Sequence, residues 1–318
     1  MNEESSHARV QRYNKYDVAL LALIVLVLAL FSGISKNFLS MFNLTTLMIN
    51  FSILFLASLG GTFVIMLGAL DLSYSGVLTL SAILTAILLP LMGLWSVPLG
   101  IGLGCAFGLA NALLFVKAKI PSFLVTLGTL YVSIGLSNLA TPGGLSIPLA
   151  GQLDFLLGEV VPGVHTLLIW ALGLAGLFYF LSRYTAFGWR IYSTGSSESA
   201  SILNGVNVGR VRIMTFVLSG ALAGTTGILL LSYFGGATSG LGANLLFIPL
   251  AVVVLGGTPL SGGVGGPHRT VVGAFLIAVI LNGLNLSGAS PGVVTLFKGV
   301  AIILTTTIVS REIKSLIM

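Results

Sequence analysis

Residues Arg183–Arg212, RYTAFGWRIYSTGSSESASILNGVNVGRVR, decide how the rest of the chain is read. This polar stretch carries four arginines and stands between two long apolar runs. Of the 318 residues in the chain, 56% are hydrophobic and only 7% are charged. Soluble domains carry about 25% charged residues. A composition this apolar cannot cover a soluble surface, so the chain reads as an all-α polytopic membrane protein. A polar loop of this length inside such a chain points to something that docks on it.

Working outward from the loop, apolar segments fall near 18–35, 43–70, 73–91, 95–116, 121–140, 164–182, 212–233, 242–257, 269–287 and 292–310. Most approach the roughly 17–25 residues that cross a bilayer as a helix. About ten transmembrane helices are therefore expected, some of them broken or half-length, in a single domain over 1–318. The polar start, residues 1–17, reads as a cytoplasmic tail before a retained first span, with no convincing cleavage site.

The charges test this count. With the N-terminus in the cytoplasm and the spans alternating, Arg9, Arg12, Lys15, Lys117, Lys119, Arg183, Arg190, Arg210, Arg212, Arg269, Arg311 and Lys314 share the cytoplasmic side. Only Lys36 falls outside, and Lys298 falls within a span. Asp154 and Glu159 fall in an outer loop, 141–163. This is the positive-inside pattern of a multi-pass membrane protein with both termini cytoplasmic. The net charge of +6 is explained by this distribution and gives no sign of nucleic-acid binding.

Two glycine-rich stretches interrupt the spans: Leu67–Gly76, LGALDLSYSG, and Leu255–Gly266, LGGTPLSGGVGG. Each joins two apolar runs in the same direction, as in two halves of a parallel repeat; two tight turns would give the same pattern. Asp71 sits in the first stretch, and Gly256 and Gly257 sit in the second. An ionisable group at a span junction is costly. Asp71 either caps the next helix, a role also open to Ser73, or contacts a transported solute. Asn282 and Asn285, three apart on one segment, are candidates for a pathway or for a helix–helix contact. Lys298 either snorkels or serves a buried role.

Within the loop, Ser196 or Ser197 can cap a short helix with Glu198 in its first turn. Ala200, Ile202 and Leu203 give that helix an apolar side, and Gly205 ends it after Asn204. A helix this short is not stable alone in water, so it must pack on a partner or on the chain's own spans. The chain has no GxxxxGK[ST] loop, HExxH or CxxC, and its three histidines are far apart. No metal site or bound cofactor is expected, and any ATP must be used by a partner. An ion-gradient-driven secondary transporter remains the competing reading, since it too has broken spans and a midplane acid.

Several segments resemble one family. FVIMLGALDLSYSGVLTLSA at 63–82, IPSFLVTLGTLYVSIGL at 120–136, TAFGWRIYSTGSSESASILNGVNVGRVR at 185–212 and VVVLGGTPLSGGVGG at 252–266 occur in the family's order. NGLNLSGAS at 282–290 and KGVAII at 298–303 continue the agreement. The chain thus resembles the permease subunits of bacterial ABC importers for ribose, xylose and related sugars, including the autoinducer-2 and galactofuranose systems. It departs from the common pattern at Ala69, Tyr74–Ser75, Leu246, Ile248, Pro249 and His268–Arg269.

The resemblance implies a translocation pathway shared with a second permease subunit, identical or not. It implies a periplasmic substrate-binding protein and a cytoplasmic ABC ATPase contacting Ser197, Glu198, Ala200, Leu203, Asn204 and Gly205. It also favours a structural role for Lys298, since a lysine commonly precedes this glycine in the family.

Overall fold

The computed structural model describes residues 3–149, 153, 156, 158–161, 163–301 and 303, with side chains placed from residue 17 onward. Asp154, Arg311, Lys314 and the end of the last apolar segment lie outside the described residues. The long helices are α1 (Glu3–Ile34), α2 (Met41–Met66), α3 (Tyr74–Met92), α4 (Ser96–Val116), α5 (Ser122–Ala140) and α6 (Thr166–Tyr184). The loop contains α7 (Ala186–Ser196) and α8 (Glu198–Leu203), followed by α9 (Val208–Phe234), α10 (Ile248–Leu255) and α11 (Pro267–Leu286). A further apolar helix spans Pro291–Ala301.

Seven stretches among the described residues are long and apolar enough to cross a membrane, where sequence alone suggested about ten spans. Two features account for the difference. Tyr74–Val116 counts as one stretch because a single 3-10 turn, Gly93–Trp95, joins α3 to α4. The segment at 242–257 is shorter than a full crossing, and only part of the segment at 292–310 lies among the described residues. Helix α1 begins within the polar N-terminal stretch and continues into the first apolar segment.

Short polar caps and left-handed glycines set the helix ends. Ser40 caps α2, accepting from Asn43 N at 3.3 Å. At its far end α2 closes with Gly68 N to Ile65 O (2.8 Å) and Ala69 N to Val64 O (3.1 Å), Gly68 taking φ +73°. Helix α10 closes in the same way, with Gly257 N to Val254 O (2.9 Å), Thr258 N to Val253 O (3.1 Å) and Gly257 at φ +97°. These paired bonds are the glycine-dependent C-terminal closure of a helix. The two glycine-rich breaks thus share one local geometry at the ends of α2 and α10.

Helices α2 and α9 lie at the centre; α1, α5 and α6 are peripheral and expose apolar faces such as Val18, Val25 and Leu26 on α1. The tightest packing joins α4 to α9. A methyl added at Gly104 would strike the Gly220 carbonyl, one at Gly220 the Gly104 carbonyl, and one at Gly108 the Phe216 carbonyl. Helices without a hydrophobic drive to associate rely on such close backbone approach.

The loops sort into two ends. At one end β1 (Ile147–Pro148) pairs with β4 (Gly236–Ala237). Thr45 Oγ1 donates to Gly163 O at 3.3 Å on the same side. There β2 (Glu159–Val161) also pairs with β3 (Val164–His165). His165 Nδ1 caps α6 by accepting from Leu167 N at 3.2 Å. Burial lowers the pKa of this imidazole, against the pull of Glu159, which favours the neutral form that can accept. At the opposite end lie both glycine breaks, the 183–212 loop and the turn after α4.

The α4–α9 contact yields a stability prediction. Gly220→Val should lower the thermal midpoint in detergent, since overpacking costs roughly 1–3 kcal/mol. Gly102→Val serves as the control, because a methyl at Gly102 meets nothing within 4 Å. Equal midpoints for the two variants would exclude close packing as the cause.

Candidate functional site

The centre of the site is a junction of three backbones. Gly263 N, in the second break, donates to Met66 O, at the end of α2, at 2.9 Å. Gly195, near the end of α7, lies against this bond; a methyl there would collide with Met66 O and come within 2.6 Å of Gly263 N. Gly262 is equally constrained: a methyl there would come within 2.5 Å of Gly68 N and 2.7 Å of Met66 O. Two further bonds hold α7 to the second break: Tyr192 OH to Gly265 O at 2.7 Å, and Ser196 Oγ to Gly263 O at 3.3 Å. Burial pushes the Tyr192 phenol pKa up, with Arg183 and Arg269 pulling it down. The phenol therefore stays a neutral donor at physiological pH.

Helix α7 was not expected; the sequence reading placed only one short helix in the loop. That expected helix is α8. Ser197 caps it, accepting from Ala200 N at 3.3 Å, and Glu198 occupies the first turn. Asn204 follows as the C-cap and Gly205 takes φ +78°. The apolar residues point away from the chain: Ile202 is 57% and Leu203 is 87% exposed, while Ser201 is the buried residue. Ala200 is also exposed. Helix α8 is thus held to the chain through its polar side and leaves its apolar side uncovered by the described residues.

One contact not legible in the sequence fixes α8 to the bundle. Arg212, on α9, donates to both carboxylate oxygens of Glu198, at 2.9 Å and 2.6 Å. The same guanidinium lies 4.8 Å above the Phe115 ring of α4. The fourteen-residue separation of Glu198 and Arg212 gives no local spacing from which to read this pair.

Asp71 sits in the first break and is buried. Its Oδ1 accepts from Ser73 N at 3.0 Å and from Ser73 Oγ at 2.6 Å; its Oδ2 accepts from Ser219 Oγ of α9 at 2.9 Å. Asn111 of α4 donates to Ser73 Oγ at 2.8 Å. Asp71 therefore bonds Ser73, the residue that leads into α3, and Ser73 itself makes no capping bond to the helix. Asn111 stands five residues before the end of α4, about 8 Å into the helix at 1.5 Å per residue. The network ties the break to α4 and α9 well inside the bundle.

The remaining candidates separate. Asn282 forms a reciprocal pair with Asn43 of α2, both bonds at 3.0 Å, which is a helix–helix link. Asn285 is exposed and does not join it. Gly256 lets α10 meet α11, since a methyl there would strike the Arg269 carbonyl, and Gly257 supplies the left-handed turn. Lys298 is half-buried beside Ile248, Ala251, Ile277 and Leu281. Among the described residues no cluster of three metal-ligating side chains occurs.

The described residues form a bundle of long apolar helices, two of them ending at glycine-rich breaks, as in a polytopic membrane protein. The chain matches, over residues 43–306, the family described as branched-chain amino acid transport system / permease component. It is 33% identical over 293 residues to the ribose import permease protein of Bacillus subtilis, covering 89% of each chain. The ribose import permease protein of Escherichia coli K12 is 30% identical over 302 residues, 92% of this chain and 93% of that one. The autoinducer 2 import system permease protein of Escherichia coli SMS-3-5 is 29% identical over 316 residues, 94% and 92% respectively. No solved structure matches significantly.

The chain belongs to this permease family and is a permease subunit of an ABC importer. The ion-gradient alternative is set aside. Permeases of this class work with an ATPase and a substrate-binding protein.

The Asp71 network gives a second prediction. Asp71→Asn should fold and retain most transport, because an amide oxygen still accepts from Ser73 and the amide nitrogen can donate to Ser219. Asp71→Leu strands up to three donors, each costing about 1–3 kcal/mol when buried, and should abolish most folded yield in the membrane. Loss of uptake in a well-expressed Asp71→Asn protein would instead assign the role to the charge.

Proposed function

We propose that this chain and a second permease subunit form the translocation pathway of an ATP-driven importer for a sugar or sugar-like solute. The exposed α8 helix, joined to the α7 helix that sits at the three-backbone junction, carries this reading. Its bare Ile202 and Leu203 suit the groove of a cytoplasmic ABC ATPase, and Ser197, Glu198, Ala200, Asn204 and Gly205 shape the knob. The chain does no covalent chemistry and binds no cofactor; ATP is hydrolysed by the partner, and a periplasmic protein delivers the solute. The ribose and autoinducer-2 permeases among its relatives support the solute class.

The mechanism is differential packing. ATP binding and hydrolysis move the groove, and α8 follows it. The attached α7 then shifts against both helix breaks at once. Alternating access needs a ligand or partner that distinguishes two states, and the ATPase supplies that difference.

Leu203→Asp should leave folding within about 0.5 kcal/mol, as expected for an exposed site, yet weaken co-purification with the ATPase on the order of tenfold. Gly195→Ala should keep the ATPase bound but separate ATP hydrolysis from uptake. Gly176→Ala is its control, since a methyl there meets nothing within 4 Å. Normal binding by Leu203→Asp would rule out α8 as the docking element.

Sidedness follows from the basic end of the bundle. Single cysteines at Leu145 and Ser199, in a Cys105→Ser background, should label from the periplasm and the cytoplasm respectively. Labelling of both from one side would overturn the proposed span order, and exchanged sides would invert the orientation.

A further inference from the structure

The outer surface where α6 meets α7 carries a patch that the docking reading leaves unused. Helix α6 is peripheral, with Ile169, Leu172 and Leu177 exposed along it. Its last turn presents Phe180, stacked on Tyr184 at 5.8 Å between ring centroids. Tyr184 is 68% exposed, and Trp189, on the first turns of α7, is 62% exposed. Arg183 and Arg190 adjoin Tyr184 and Trp189 in sequence and are exposed. Among the described residues neither arginine has an ion-pair partner. The acids placed at this end are engaged elsewhere: Asp17 pairs with Arg269 at 3.1 Å, and Glu198 pairs with Arg212.

We propose that Arg183 and Arg190, with Tyr184 and Trp189, form a binding site for the headgroup of an anionic phospholipid. The position argues for lipid. The patch continues an apolar, lipid-facing helix at the end where that helix leaves the hydrocarbon, which is where indole and phenol rings anchor. The charge argues for an anionic headgroup. Each arginine near an anionic surface contributes about 1 kcal/mol, so two together give roughly a thirtyfold preference over a neutral lipid. Occupancy would hold α7, and with it the three-backbone junction, at a fixed depth in the interface.

The test uses the full-length permease in nanodiscs, with Trp95 and Trp170 changed to Phe so that Trp189 is the sole indole. Brominated phosphatidylglycerol should quench Trp189 strongly. Titrating phosphatidylglycerol into phosphatidylcholine discs should saturate this quenching at about thirtyfold lower mole fraction than brominated phosphatidylcholine needs. R183Q/R190Q should remove that preference while leaving thermal stability unchanged. Equal quenching by both lipids, unaffected by R183Q/R190Q, would overturn the headgroup site. Quenching by aqueous iodide but by neither lipid would overturn any lipid contact and give the surface to a protein partner. Neither outcome bears on ATPase docking, which Leu203→Asp tests separately.

Discussion

The structure depends on the hydrogen bond from Gly263 N to Met66 O, with Gly195 lying against it. A helix that stops inside a membrane protein leaves backbone groups without partners, and hydrocarbon offers no water to satisfy them. Both α2 and α10 stop in this way. Their glycine turns close some of the exposed carbonyls locally. The rest of the solution is for one break to serve the other, which brings two backbones to hydrogen-bonding distance. The third backbone, that of α7, enters the same space. Any side chain at 195 or 262 would hold these strands apart. The loop cannot shift as a body without disturbing both breaks.

Elsewhere the chain spends its few polar groups on joining helices. Thr62 meets Thr270 at 2.8 Å, linking α2 to α11, and Asn43 meets Asn282 near the other end of the same pair. Tyr74 reaches Leu56 O at 3.0 Å and Thr226 at 2.9 Å, linking α3 to α2 and α9. Its ring fills the space that Gly60 leaves, and a methyl at Gly60 would collide with it. Tyr74 is one of the departures from the family pattern, and here it has a packing reason. Such bonds average well under 2 kcal/mol each in membranes. Their number and spread, more than any single strength, keep α2, α3, α4 and α9 together.

What could be read from sequence was local. The cap at Ser197, the turn at Gly205 and the break at Asp71 all follow from residue types within a few positions of one another. The apolar runs gave the helices, but length alone could not separate a full crossing from the half-length α10. The α7 helix escaped notice because its apolar residues are diluted by Gly188, Arg190 and Gly195. Contacts between distant segments were not legible. Ser219 and Asn111 around Asp71, Arg212 on Glu198, and the meeting of the two breaks each join residues from different helices. Asn282 and Asn285 show the converse error: spacing put them on one face, but packing buried one and exposed the other.

The two attachments of α8 differ in stiffness, and the difference bears on how a docked ATPase would act. The Glu198–Arg212 pair is partly solvated, with side-chain exposures of 48% and 22%. A pair this exposed is worth about 0–1 kcal/mol, even allowing for its bidentate geometry. The α7 seat is backbone against backbone with no room for a methyl, and a close-packed contact resists displacement because any shift opens a void or creates a clash. A groove pulling on α8 would therefore stretch the ion pair first, letting α8 tilt to fit its partner. The same pull would carry α7 nearly rigidly. On the proposed reading the soft attachment adjusts the fit of the knob, and the stiff one delivers the motion to Met66 and Gly263 together.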